Sequence, residues 1–141
     1  MSAETCFVDT NVLVYAYDAD AGRRHDIAAE LLTRLWRSRT GAISTQVLQE
    51  FYVNVTRKLP QPLDRVTARG VLWTYRAWPV HSASVDDVMG AAELEEREQL
   101  SFWDALIIVS AVRSGAARLL TEDMQEGRRI SGVLIENPFS E

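Results

Sequence analysis

The sequence has little cysteine, histidine or lysine: Cys6 and Lys58 are single, and only His25 and His81 represent histidine. One cysteine excludes an internal disulfide, and the start of the chain lacks the basic and apolar pattern of a signal peptide. We therefore expect a cytoplasmic protein. The two histidines match no zinc-ligand spacing and no Ser-His-Asp arrangement, which argues against both kinds of site.

Long apolar runs and linkers are missing as well. No apolar stretch approaches the roughly 18 residues that a membrane-spanning helix needs. No repeat and no Gly-, Pro- or Ser-rich linker divides the 141 residues. We therefore expect one domain over residues 1–141 that does not cross a membrane. A hydrophobic fraction of 47% and a charged fraction of 25% are typical of a globular protein.

The charge balance is acidic, with 20 acids against 15 bases and a net charge of −5. Nucleic-acid-binding domains are usually basic, so the balance alone argues against such a partner. The argument weakens if some of the acids bind metal. Without Asp9, Glu50, Asp104 and Asp123, 16 acids would face 15 bases.

Short apolar runs alternate with segments of helical periodicity, which predicts an α/β fold with a central parallel sheet flanked by helices. Strands are predicted over residues 6–8, 42–44, 79–81, 118–121 and 133–135. Helices are predicted over residues 12–17, 23–37, 45–57, 63–75, 85–97 and 102–114, with Asn11, Thr45 and Ser84 as caps. In such folds, sites form at the carboxyl ends of the strands.

Three acidic residues fall where this rule places a site. Asp9 directly follows the first predicted strand, Asp123 follows the strand at 118–121, and Glu50 lies on the helix after the second strand. Asp104 is different because the apolar segment FWDALIIV surrounds it, which predicts a buried helix. A carboxylate there is costly unless it is paired or binds a cation.

Four converging carboxylates would repel one another unless a cation lies between them. Oxygen donors without His or Cys favour Mg²⁺ or Mn²⁺ over Zn²⁺. One or two such ions suit phosphodiester hydrolysis, because they can hold the attacking and leaving oxygens.

Each acid also has an ordinary explanation when it is taken alone. Asp9 could cap a helix, and Asp123 could be a turn residue. Glu50 could be a solvated helix residue. Asp104 could be a charge near a helix N-terminus that the helix dipole stabilises. Only the joint pattern favours the metal site.

Four blocks of the sequence carry a resemblance to a known family: Asp9-Thr10-Asn11, STQVLQEF around Glu50, SFWDA around Asp104, and LTED ending at Asp123. In this order and spacing they resemble PIN-domain nucleases, especially the VapC toxins of type II toxin–antitoxin systems. The resemblance covers nearly the whole chain and implies a PIN-like three-layer α/β fold. It further implies an Mg²⁺- or Mn²⁺-dependent endoribonuclease that hydrolyses RNA with metal-activated water, forms a homodimer and is inhibited by a cognate antitoxin.

Residue by residue, the resemblance assigns catalysis and metal binding to four acids: Asp9, Glu50, Asp104 and Asp123. We expect Asp9 and Asp104 to be the most direct metal ligands. Asn11 would hold Asp9 or a water, and Thr121 would hydrogen-bond a site carboxylate. Glu122 immediately precedes the last of the four acids, and a shared role stays open.

Other functions also stay open. They include a PIN-fold nuclease that processes RNA or acts on structured DNA, and a non-catalytic RNA-binding or scaffolding domain of the same fold. An aspartyl-phosphate phosphatase needs a second Asp where this chain has Asn11, and a late Lys where it has none. A phospho-receiver domain lacks the same late Lys.

Two further features could serve an RNA substrate. Two basic pairs, Arg57-Lys58 and Arg128-Arg129, could contact phosphates, although solvated surface charge explains each pair at least as well. Trp73, Tyr75 and Trp78 could stack bases, but we favour core or dimer packing for them.

Overall fold

The computed structural model of the chain describes residues 4–140. The strands in this range are β1 (Cys6–Val8), β2 (Gly41–Ser44), β3 (Val80–His81), β4 (Arg118–Leu120), β5 (Arg129–Ile130) and β6 (Val133–Glu136). The α-helices are α1 (Thr10–Tyr15), α2 (Arg23–Ser38), α3 (Thr45–Arg57), α4 (Arg65–Tyr75), α5 (Val85–Glu98) and α6 (Phe102–Arg113), and a 3₁₀ turn spans Ala19–Ala21.

The strands form one sheet in the order β3-β2-β1-β4-β6-β5. All neighbours pair in parallel except β5 and β6, which are antiparallel. The predicted α/β fold with a central, mostly parallel sheet is therefore confirmed. Because β1 lies between β2 and β4, its carboxyl end opens in the middle of the sheet edge, beside the end of β4.

The hydrophobic core lies between this sheet and the helices. Phe7 and Val8 of β1 and Ile108 of α6 are fully buried, and α2 buries the stripe formed by Leu31, Leu32 and Leu35. The apolar character of α6 has the same cause, because most of its residues face the core.

Several predicted element boundaries are wrong, for local reasons. Helix α1 begins at Thr10 because Asp9, not Asn11, caps it. Ser44 rather than Thr45 caps α3. Helix α4 begins at Arg65 rather than residue 63, because the Asp64 side chain accepts a hydrogen bond from the N–H of Thr67.

The sheet has one strand more than the sequence predicts. Strand β5 was not predicted, because two residues carry no periodicity that would reveal a strand. Across residues 4–140, no helix has the length and apolar character needed to cross a membrane.

Gly41 offers a test of the packing beneath the sheet. A Cβ atom at Gly41 would lie 2.4 Å from the indole of Trp78, so a larger residue must displace that ring. A cavity of about 510 Å³ beside Trp78 gives the ring some room. We expect Gly41→Ala to lower the free energy of unfolding by about 1–2 kcal/mol in urea denaturation.

The matched control is Gly90→Ala on α5, where a Cβ meets no atom within 4 Å. This substitution should leave stability unchanged or raise it by up to about 1 kcal/mol, since alanine favours helix. Equal effects of the two substitutions would contradict the close contact between Gly41 and Trp78.

Candidate active site

Asp9 lies at the carboxyl end of β1 and is held at every polar atom. Its N–H donates to the carbonyl of Leu120 at 3.0 Å, which ties the end of β1 to the end of β4. Its carboxylate accepts hydrogen bonds from the N–H of Thr10 and from the hydroxyl of Thr121, each at 2.7 Å. The residue is 6% exposed. This carboxylate therefore has one fixed orientation at the centre of the sheet edge.

Thr121 and Asn11 connect Asp9 to Asp123. The Thr121 hydroxyl, which donates to Asp9, also accepts from the N–H of Asp123 at 3.1 Å. The Asn11 amide donates to the Asp123 carboxylate at 2.8 Å. Thr121 thus touches a site carboxylate, and the main contact of Asn11 is with Asp123 rather than Asp9.

Glu50 and Asp104 come from the helices α3 and α6. Gln46, one turn before Glu50, donates to the Glu50 carboxylate at 2.9 Å and to the carbonyl of Trp103 at 3.4 Å. This side chain therefore joins α3 to the first turn of α6, where Asp104 lies. The Ser101 hydroxyl caps α6 by accepting from the N–H of Asp104 at 3.1 Å. Asp104 is half-buried rather than enclosed, because it sits in the exposed first turn of an otherwise buried helix.

A cleft of about 300 Å³ opens at this edge of the sheet. Glu50 and Asp123 form its acidic walls, Val14 its apolar part, and Tyr15 one side. The polar residues along it are Thr10, Asn11 and Asn54. Its size and polar lining suit a charged group such as a phosphate better than an apolar ligand.

The surroundings of these acids disfavour the ionised form of their carboxyl groups. Burial, together with the neighbouring Asp123 and Glu50, raises the pKa of Asp9 to about 7 against two hydrogen bonds that lower it. Burial and nearby carboxylates also raise the pKa of Glu50 and of Asp104. Since the neighbours that raise these values are other members of the set, the carboxylates are close enough to repel one another.

Within residues 4–140, none of these four carboxylates forms an ion pair with a basic side chain. Other acids do: Asp87 pairs with Arg113, and Glu98 with Arg128. The ion pairs of the described residues thus involve acids outside this group. Lys58 attracts Glu50 without pairing with it, so the charge of the acidic cluster is largely uncompensated, which suits a bound cation.

The donors fit a hydrated divalent ion rather than a closed cage of protein ligands. In the described part of the chain, no three His, Cys, Asp or Glu side chains are close enough to hold an ion together. Mg²⁺ keeps several waters and commonly binds through one or two carboxylates and substrate phosphates. The buried polar atoms without a partner in the same range are Thr10 Oγ1 and Gln46 Oε1, and both belong to this site. Such atoms indicate a place for a polar ligand.

The structure separates Glu122 from Asp123. The Glu122 carboxylate accepts from the Tyr15 hydroxyl at 2.6 Å and pairs with Arg24. Burial alone would raise the pKa of Glu122, but these two partners outweigh it and hold the pKa below its usual value. Asp123 instead lines the cleft. Only the second of these adjacent acids is directed at the site.

Three polar residues of the site were not predicted as site residues from the sequence: Thr10, Gln46 and Asn54. A signal for Gln46 existed, since it precedes Glu50 by four residues and so shares its helix face. Asn54 follows Glu50 by four residues in the same way, and its amide donates to the Glu50 carbonyl at 2.7 Å. Thr10 lies between Asp9 and Asn11, and no pattern in the sequence distinguishes its role.

Thr121 offers a test of how Asp9 is positioned. Thr121→Val keeps the shape of the buried side chain but removes the hydroxyl that contacts Asp9. If the site binds a metal, the metal affinity or the rate of RNA cleavage should fall by about 10- to 100-fold. Thr121→Ser should restore most of it, because the hydroxyl returns. If the serine variant is as impaired as the valine variant, the hydroxyl is not what positions Asp9.

Comparison with known proteins agrees with this architecture. A family model described as PIN domain matches residues 6–129. A search of curated proteins found no match. Among solved structures, a toxin–antitoxin complex from Klebsiella pneumoniae has a TM-score of 0.71 and 23% identity, and the alignment covers 97% of this chain and 100% of that chain.

Two further solved structures have the same fold. VapC20 from Mycobacterium tuberculosis, described as a sarcin-ricin loop cleaving toxin, has a TM-score of 0.64 and 23% identity, with coverage of 82% of this chain and 87% of that one. VapBC2 from Rickettsia felis, bound to a DNA fragment from the promoter, has a TM-score of 0.64 and 23% identity, with coverage of 94% and 98%. These likenesses concern the fold, whereas the family model spans most of the sequence, so this chain belongs to the PIN domain family.

Proposed function

We propose that this protein is an Mg²⁺- or Mn²⁺-dependent endoribonuclease that hydrolyses RNA phosphodiester bonds at the cleft between α1 and α3. One observation carries the proposal. Four carboxylates lie near the carboxyl edge of the sheet, burial and their mutual repulsion raise the pKa values of three of them, and in the described range no basic side chain forms an ion pair with any of them. A cation at the cleft would relieve this repulsion and attract a phosphate.

Each of the four acids, of which Glu50 and Asp123 line the cleft, has a distinct task in this proposal. Asp9 and Asp104 would bind the metal most directly, and Glu50 and Asp123 would bind a second ion or orient water. A bound Mg²⁺ or Mn²⁺ would lower the pKa of the attacking water and neutralise charge on the phosphate. The protein contributes orientation, because Thr121 fixes the Asp9 carboxylate.

Two amides complete the positioning of the acids. Asn11 holds the carboxylate of Asp123, and Gln46 holds that of Glu50. Both donors keep the acids turned toward the cleft before substrate arrives, which reduces the cost of arranging them in the transition state.

Solved structures of the same fold suggest the biological setting. One is described as a sarcin-ricin loop cleaving toxin, another as a toxin–antitoxin complex, and a third as VapBC2 bound to promoter DNA. We therefore propose that the chain is the toxin of a type II toxin–antitoxin pair, acts in the cytoplasm as a homodimer, and is held inactive by an antitoxin. Co-purification with a small protein encoded beside it would support this part. A protein that is not toxic when expressed alone would count against it.

The activity is tested by incubating the purified protein with total RNA and with a sarcin–ricin loop RNA. The native chain should cut RNA with Mg²⁺ or Mn²⁺ and should not cut it with EDTA. Asp104→Asn should lose the activity. Glu122→Gln is the matched control, because it removes an adjacent acid that faces Arg24 and Tyr15.

Two results would overturn the proposal. One is cleavage by Asp104→Asn at the native rate. The other is that the native chain cuts neither RNA, whether Mg²⁺ or Mn²⁺ is supplied. A loss of activity in Glu122→Gln that equals the loss in Asp104→Asn would show that the assignment of the acids is wrong.

A further inference from the structure

A stripe of three arginines and one tryptophan runs along one exposed side of α4. Arg65, Arg69, Trp73 and Arg76 follow at spacings of four, four and three residues. These spacings place the four side chains on one helix face, over a length of roughly 16 Å. All four are exposed, and the Trp73 side chain is 70% exposed. We call this set the α4 stripe.

The α4 stripe is a basic surface on an acidic protein. Residues 51–80 contain five bases and a single acid, Asp64, in a chain whose net charge is −5. The Asp64 carboxylate is engaged in capping α4 through the N–H of Thr67. Across residues 4–140, no ion pair involves any of these five bases. Arg69 and Lys58 attract Asp64 and Glu50 without forming ion pairs with them, so most of the positive charge of this surface is available to an anion.

Trp73 has no structural task that explains its exposure. The next aromatic residues along the chain, Tyr75 and Trp78, are buried and pack against Trp36 in the core. Trp73 instead contacts Arg76, whose guanidinium carbon lies 4.3 Å from the centre of the indole ring. An exposed ring beside an arginine is suited to stacking with an unpaired nucleobase.

The α4 stripe is connected to the cleft through α3. Asn54 lines the cleft, and Arg57 and Lys58 follow it within about one helical turn. The N–H of Leu63 donates to the carbonyl of Val55 at 2.8 Å, which fixes the loop between the two helices. Helices α3 and α4 also pack against one another. A chain of exposed bases therefore leads from the end of α3 to α4.

We propose that the α4 stripe binds a single-stranded or looped segment of RNA outside the cleavage cleft. Arg65 and Arg69 contact phosphates, and Trp73 with Arg76 stacks on an unpaired base. The proposal rests on RNA being the substrate and adds a second contact that selects unpaired RNA. In a duplex the bases stack on one another and are not accessible to Trp73. An acidic protein partner could pair with the arginines, but it would not explain the exposed indole.

The test measures binding rather than cleavage. Fluorescence anisotropy of a fluorescein-labelled 20-nucleotide single-stranded RNA is recorded in EDTA at several salt concentrations. Trp73→Ala should weaken binding about five-fold or more with no change in the salt dependence, because it removes stacking. Arg65→Gln/Arg69→Gln should weaken binding roughly 10-fold or more at 0.1 M salt. It should also lower the slope of log affinity against log salt by about 1.4, the value for two lost phosphate contacts.

The control is Arg37→Gln/Arg97→Gln, which removes the same charge from two exposed arginines on α2 and α5. The proposal is overturned if the control weakens binding as much as the α4 double variant. It is also overturned if Trp73→Ala has no effect, or weakens a duplex of the same length equally. Unchanged RNA affinity in all variants would favour a protein partner for this surface and would also overturn the proposal.

The binding test stands apart from the proposed activity. Asp104→Asn should bind the labelled RNA at least as tightly as the native chain in EDTA, since it lacks one repelling charge. Binding without any cleavage in Mg²⁺ would contradict the nuclease and leave the α4 stripe supported. If the α4 substitutions change neither cleavage nor binding, the nuclease is supported and the proposal for the α4 stripe is contradicted.

Discussion

Asp9→Asn should abolish RNA cleavage and at the same time make the metal-free protein more stable. The loss of activity should be at least about 100-fold, because direct ligands matter more than the residues that orient them. The gain in stability follows from the buried, unpaired charge that asparagine removes. Few substitutions improve stability while destroying function, so this combination identifies a site that is built for a ligand.

The stability effect of Asp9→Asn has a defined pH dependence. Burial raises the pKa of Asp9 to about 7 in the folded protein, whereas an unfolded aspartate titrates near about 3.9. The native chain therefore loses stability as the pH rises from about 4 to about 7, while the asparagine variant does not. At pH 8 without divalent ions, we expect the variant to be more stable by about 1–3 kcal/mol, which thermal unfolding would show as a Tm several degrees higher.

Divalent ions should reverse this order. Excess Mn²⁺ should bind only the folded native site and raise its Tm, and it should leave the Tm of Asp9→Asn nearly unchanged. Asp26→Asn, which alters an exposed carboxylate on α2, is the control and should change neither activity nor Tm appreciably. A metal-free Asp9→Asn protein that is less stable than the native chain at pH 8 would contradict this account of Asp9.

Asp87→Ala should destabilise the protein by about 3 kcal/mol without touching the cleft. The Asp87 carboxylate is 3% exposed and accepts from the N–H of Ser84, from Arg113 Nε at 2.8 Å, and lies 2.8 Å from His81 Nε2. It joins the start of α5 to α6 and to β3. Its removal leaves these donors without their partner, which is more costly than the loss of an exposed ion pair.

This effect should become smaller in acid. The hydrogen bond from Ser84, with those from Arg113 and His81, holds the pKa of Asp87 well below its usual range. The stabilisation is therefore complete above about pH 4 and is lost as the pH falls further toward the folded value. Urea denaturation of native and Asp87→Ala proteins at pH 7 and at pH 2.5 measures the difference.

The neighbouring Asp86 supplies the control for this experiment. Asp86 is exposed and precedes Asp87 in the same helical turn, so Asp86→Ala should cost less than about 0.5 kcal/mol. If both alanine variants have the same stability, the buried network around Asp87 does not contribute as its geometry indicates.

The fold was predictable where periodicity is strong and burial is complete. The stripe of leucines on α2 and the apolar α6 indicated their helices, and the alternation of strands with helices indicated the sheet. The start of α4 was not predictable from apolar spacing, because the cap at Asp64 decides it. Strand β5 depends on pairing with β6 and carries almost no signal of its own.

The candidate site was predictable in its acids but not in their arrangement. The sequence stressed the apolar surroundings of Asp104, yet Asp9 is the more buried carboxylate, because β1 ends in the middle of the sheet. The choice between Glu122 and Asp123 needed three dimensions, since Arg24 and Tyr15, far away in sequence, hold Glu122. The unpartnered oxygens of Thr10 and Gln46 appear only once the chain is folded.

The central claim is that Asp9 and Asp104, with Glu50 and Asp123 near them, bind one or two hydrated divalent cations. Calorimetric titration of Mn²⁺ at pH 8 into the native chain, the four single amide variants of these acids, and Glu122→Gln tests it most directly. We predict that the native chain and Glu122→Gln bind Mn²⁺ alike, and that Asp9→Asn and Asp104→Asn bind at least about 10-fold more weakly. Native affinity in both of these variants, or no binding by the native chain, would contradict the account.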